Sequence, residues 1–117
     1  MTYERKPLIY IAGPYTHGDP VTNTRDAVEE GMRIYEATGA GVIVPHLSLL
    51  AHVMFPRPLD YWYNFDLAQL IYCDAVYRLD GPSHGADREV AFAEEHGIPV
   101  FLDRRALLLW IESGGPS

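Results

Sequence analysis

The segment Ser83-His84-Gly85-Ala86-Asp87-Arg88-Glu89 brings a hydroxyl, an imidazole, two carboxylates and a guanidinium close together in the chain. A helical pattern follows Ser83. Ser83 and Gly85 therefore fall at a helix N-terminus, where free backbone N–H groups and the helix dipole attract an anion. Glu89 lies about one helical turn further in. Taken alone, Ser83 reads as an ordinary N-cap and Glu89 as a solvated helix carboxylate. Asp66 is different, because its neighbours Phe65, Leu67 and Leu70 are apolar. A carboxylate buried among such residues needs partners, which raises the chance of a functional role. Asp74, eight residues on, falls at a helix end and reads as a cap or a solvated charge. A third cluster is Tyr10-Ile11-Ala12-Gly13-Pro14-Tyr15, in which Gly13 lets the backbone approach a ligand or simply turns the chain.

Other reactive side chains invite plainer readings. His46 and His52 lie six residues apart with no third ligand in view, so no metal is expected. Cys73 has no basic neighbour in sequence and reads as core. Arg25, Arg78 and Arg88 are surface charges by default, although any of them near Ser83 would favour a phosphate there. The stripe Leu107, Leu108, Trp110 and Ile111 reads as core or subunit interface.

These residues need elements to hold them. Pro7–Ala12 is an uninterrupted apolar run, hence a buried strand, broken by Gly13-Pro14. A helix begins near Thr22 or Asn23, both plausible caps, and ends at Gly39 or Gly41. Val42–Val44 is a second strand. His46–Pro58 reads as a loop holding a helical turn around Leu49–Met54. Leu59–Cys73 is helical by period, Ala75–Leu79 a third strand, and Ala86–His96 a helix stopped by Gly97. Ile98–Leu102 and Arg104–Glu112 complete the set, with residues 1–6 and 113–117 frayed. Strict alternation of strand and helix implies one α/β domain over residues 1–117. The expected fold is a doubly wound, Rossmann-like parallel sheet of four to five strands, order 2-1-3-4(-5), with helices on both faces. Ligands bind such sheets beyond the carboxyl ends of the strands, here beside Gly13 and Asp80.

In combination the segments resemble the nucleoside 2-deoxyribosyltransferase-like family, which includes deoxynucleoside 5′-monophosphate N-hydrolases and CMP N-glycosidases. Four pieces carry the resemblance: Ile9-Tyr10-Ile11-Ala12-Gly13-Pro14, Asp66-Leu67-Ala68 leading to Cys73-Asp74-Ala75, Ser83-x-Gly85-x-x-x-Glu89, and Gly97-Ile98-Pro99-Val100. The resemblance implies that Glu89 attacks the anomeric carbon, that Asp66 contacts the sugar and assists, and that Tyr10 orients Glu89. It also implies that Ser83 holds a 5′-phosphate, whereas the true transferases carry an acidic residue there. The first loop, Tyr15–Pro20, departs from the family's phosphate loop. Gly13, Tyr15, Trp62, His84 and Gly85 are expected to complete the substrate site, with Tyr15, Trp62 or Tyr63 walling the base. No cofactor is implied.

A formal charge of -7 argues against a nucleic-acid partner. No apolar run is long enough to span a bilayer and no signal peptide is legible. With Cys73 the one cysteine, a cytoplasmic enzyme is expected. The small core favours a homodimer or higher homo-oligomer. The leading expectation is an N-glycosidase acting on a nucleoside 5′-monophosphate. Alternatives are a 2-deoxyribosyltransferase exchanging bases, a phosphoribohydrolase of the lysine-decarboxylase-like type, and a nucleotide-binding module without turnover.

Overall fold

The computed structural model describes residues 4–116. Met1–Tyr3 and Ser117, part of the ends expected to fray, lie outside the described residues. The strands are β1 (Leu8–Ala12), β2 (Gly41–Ile43), β3 (Ala75–Arg78) and β4 (Val100–Phe101). The helices are α1 (Pro20–Thr38), α2 (Leu49–Met54), α3 (Leu59–Leu70), α4 (His84–Glu95) and α5 (Arg104–Glu112). A 3-10 turn, Pro45–Ser48, leads into α2. All strand pairs are parallel and the order is β2-β1-β3-β4, as the alternating pattern requires. No fifth strand occurs among the described residues.

Side-chain alternation along β1 creates two cores. Ile9 and Ile11 point to one face and pack with Ala27 and Ile34 of α1 and Leu107 and Ile111 of α5. Tyr10 and Ala12 point to the other face and pack with Leu70, Cys73, Val76, Ala86 and Ala93. The α5 stripe is therefore core: Leu107 and Ile111 are buried and Trp110 packs against them. Cys73 is likewise buried, and burial pushes its thiol up to about 12. Asp74 fastens the sheet, accepting a bond from the Leu8 amide at 2.8 Å while its own amide donates to the Leu8 carbonyl.

Several boundaries differ from the sequence reading. The first helix starts at Pro20, with Asp19 as its cap. Asp19 accepts from the Thr22 amide, and proline at the first helical position has no amide to leave unpaired. Asn23 instead donates to the carbonyls of Tyr15 and His17 at 3.0 and 2.9 Å, shaping the first loop. The third helix stops at Leu70, because Ile71 and Tyr72 turn and the Cys73 amide bonds back to Leu70. The fourth spans His84–Glu95, starting two residues earlier than its apolar pattern. Strand β3 ends at Arg78 and β4 shrinks to Val100–Phe101, since the Ile98 amide still bonds to Ala93 of α4. No helix among the described residues is long and apolar enough to cross a membrane.

Candidate active site

The carboxyl ends of β1 and β3 open into a cavity of about 690 Å³. The first loop, the segment Pro45–Tyr63 and the start of α4 enclose it. Every residue expected in the site except Tyr10 lines it: Gly13, Tyr15, Trp62, Asp66, Ser83, His84, Gly85 and Glu89. Tyr10 stands directly behind the wall, fully buried.

The central contact is a buried hydrogen bond from the Tyr10 hydroxyl to Glu89 Oε2. It joins residues 79 positions apart. Two periodicities produce it. Tyr10 shares its strand face with Ala12, toward α4. Glu89 lies three residues after Ala86 and four before Ala93, on the buried stripe of α4. Glu89 is 6% exposed. Burial raises its carboxyl to about 7, opposed by the Tyr10 bond and the charge of Arg78. Tyr10 itself is driven far above the ordinary phenol range by burial and by Glu89, so it remains a donor.

Asp66 is half-buried, and one of its oxygens lacks the partner its apolar neighbours call for. Its Oδ1 is buried and makes no hydrogen bond. Burial first, then the charge of Glu89, pushes its carboxyl up to about 8, which favours the protonated form below that pH. Two carboxyls thus face one cavity with different affinities for a proton, the arrangement that separates an acid from a nucleophile or base.

The start of α4 forms another part of the cavity wall. Ser83 caps the helix, its Oγ accepting from the Ala86 amide at 3.0 Å. At Gly85 an added Cβ would meet nothing within 4 Å, so the helix start is open. Arg88 lies 3.7 Å from the Tyr63 ring centroid and lines the same cavity. Arg78 clamps the approach to α4 through Leu79 O, Gly81 O at 2.9 Å and Asp87 at 3.0 Å. Gly13 is fixed by packing, since a Cβ there would lie 3.1 Å from Cβ of Leu79. Tyr15 meets His46 edge-on, with ring centroids 5.9 Å apart.

His46, His52 and Arg88, read from sequence as loop histidines and a default surface charge, also line the cavity. His46 is 4% exposed, its Nε2 3.0 Å from the Pro14 carbonyl, and burial lowers its tendency to take a proton. His52 and Arg88 had no signal beyond their residue types. Among the described residues no group of three His, Cys, Asp or Glu side chains could hold a metal ion.

The Tyr10–Glu89 contact makes a testable prediction. Tyr10→Phe removes a donor that favours the charged carboxylate. The acid limb of any activity needing ionised Glu89 should move upward by about one pH unit. A pH–rate profile of the variant checks this; an unmoved limb would show that the two groups do not couple.

The fold has solved counterparts. A 2-deoxyribosyltransferase from the psychrotolerant bacterium Bacillus psychrosaccharolyticus shares it with a TM-score of 0.59 and 20% identity, over 80% of this chain and 69% of that one. A conserved protein from Enterococcus faecalis V583 matches with a TM-score of 0.66 and 18% identity, over 93% of this chain and 76% of that one. At such identities the likeness is one of fold. No curated protein matches the chain. Residues 7–102, which hold the whole sheet and both candidate carboxylates, match one family model, and the chain belongs to the family it describes: Domain of unknown function (DUF4406).

Proposed function

We propose that this chain breaks the N-glycosidic bond of a 2′-deoxynucleoside or its 5′-monophosphate, with Glu89 as nucleophile. The observation that carries the reading is the buried Tyr10–Glu89 hydrogen bond at the cavity wall. Tyr10 occupies Oε2, and Oε1 has no hydrogen bond among the described residues, leaving it for carbon. Glu89 attacks C1′ as the bond to the base breaks, and the oxocarbenium character of that transition state is met by its charge. Asp66, protonated near neutral pH, gives its proton to the departing base. The product is a glycosyl ester on Glu89. Water or a second base then attacks C1′ from the vacated face, gives its proton to the Asp66 carboxylate and frees Glu89, with net retention.

The acceptor distinguishes two readings. Transfer to a second base is supported by the fold shared with a 2-deoxyribosyltransferase. Hydrolysis of a 5′-monophosphate is supported by Ser83, Gly85 and Arg88, which line the cavity together at the start of α4. Incubation with one deoxynucleoside and a second free base separates them: exchange without net hydrolysis marks the transferase, and base release in water marks the hydrolase. Binding of nucleotides with neither outcome would refute turnover. If a 5′-phosphate is held at α4, Arg88→Ala should raise KM for the monophosphate about tenfold or more and leave the nucleoside's KM within about twofold. Equal effects on both substrates would remove the phosphate from that end.

A further inference from the structure

We infer that His52 is a positioning residue: its Nδ1 holds the Trp62 indole in place as the aromatic wall of the cavity. The inference rests on the proposed function in one respect only, that a nucleobase lies against that wall. Trp62 Nε1 donates to His52 Nδ1 at 2.7 Å, with the rings edge-to-face at 86°. The Arg57 amide donates to the same nitrogen at 3.3 Å. Indole and backbone N–H groups only donate, so Nδ1 is an acceptor and the ring proton sits on Nε2. One lone pair therefore ties α2, the following bend and α3 together.

The tie falls in an exposed segment and is the side-chain hydrogen bond that joins α2 to α3 among the described residues. Residues Val53–Tyr61 are all exposed. The rings of Tyr61 and Phe65 meet Trp62 edge-on, at centroid distances of 5.0 and 5.7 Å. Such contacts tolerate rotation about the side chain; a hydrogen bond to the indole N–H does not. His52, Arg57, Trp62 and Tyr63 all line the cavity. A wall contact of this kind acts alike on the bound substrate and on the transition state, so its loss should appear in KM and spare kcat.

His52→Leu removes the acceptor, whereas His52→Asn places an amide oxygen at the position of Nδ1. The expected result is that His52→Leu raises KM about tenfold with kcat within about twofold, and that His52→Asn restores KM. The chain has two tryptophans, so the indole N–H resonance of Trp62 can be followed by NMR with Trp110 as an internal reference. It should shift in His52→Leu and return in His52→Asn. Trp62→Phe deletes the donor from the other side, and combining it with His52→Leu should cost no more than either change alone. Additive losses, an unmoved resonance, or a leucine variant that lowers kcat at constant KM would overturn the assignment. If the wild-type protein releases no base while the resonance responds as described, the glycosidase reading fails and the positioning role stands.

Discussion

Replacing Glu89 with alanine should abolish base release, with a fall in kcat of about four orders of magnitude or more, while a nucleotide still binds. The size follows from the role. A residue that forms the bond to C1′ has no substitute in the cavity, because Asp66 is protonated near neutral pH and makes a poor nucleophile. Binding survives because Ser83, Arg88, Tyr15 and Trp62 line other parts of the same cavity. The alanine change also strands the buried Tyr10 hydroxyl, at a cost of about 1–3 kcal/mol in stability. Glu89→Gln is therefore the companion variant, since its amide oxygen keeps Tyr10 paired while its nucleophilicity is lost. Both variants should be inactive, and isothermal titration with a deoxynucleoside monophosphate should still report binding. Mass spectrometry of wild-type protein quenched during turnover should find the sugar on the peptide containing Glu89. Normal base release by either variant would refute the nucleophile.

How much of this was legible in advance depends on the range of the interactions. The run Leu8–Ala12 announces a strand buried on both faces, and the alternation of such runs with helical stretches gives the sheet order. Glu89 taken alone reads as a solvated carboxylate, and the family resemblance rather than its period singled it out; the structure buries it on the stripe of Ala86 and Ala93. The features left unseen depend on atoms that sequence does not place. The cap at Asp19 was hidden because Thr22 and Asn23 are equally good cap residues, and only geometry selects between them. Arg88 declares itself only when Tyr63, from a different helix, comes under its guanidinium. The solitude of Asp66 Oδ1 is contrary to expectation: its apolar neighbours in sequence call for partners, and the structure leaves this oxygen without one while burial raises the carboxyl to about 8. The roof from Pro45 to Tyr63 was the least legible part. Its prolines and short helices obscure any period, and its order rests on tertiary bonds such as that between Trp62 and His52.

Activity should be confined to a narrow band around pH 7.5, and Asp66→Asn should remove its alkaline side. Catalysis as proposed needs one proton shared between two carboxyls, on Asp66 and off Glu89. Burial raises both carboxyls, Glu89 to about 7 and Asp66 to about 8, so the pair should lose its protons in two steps in that region. The first proton leaves Glu89, because Tyr10 and Arg78 support its charge while Asp66 Oδ1 has no donor. The second leaves Asp66 and ends its service as an acid. The rate should therefore fall about tenfold per pH unit well below 7 and well above 8. In Asp66→Asn the acid limb stays near its wild-type position, the alkaline limb disappears, and kcat drops by about two to four orders of magnitude. An alkaline limb that persists in this variant would assign the proton to another group. The same ionisations act on stability, with a definite sign. Both carboxyls are raised above their unfolded values, so their contribution is complete below about pH 4 and is lost as pH rises through 7 and 8. For Glu89 the loss is about 3 kcal/mol. Urea denaturation should find wild-type protein less stable at pH 9 than at pH 5 through this linkage. Glu89→Gln, which carries no charge to bury, should be the more stable protein at pH 9. Stability and catalysis thus pull in opposite directions on one side chain: the charge that attacks C1′ is the one the fold resists burying.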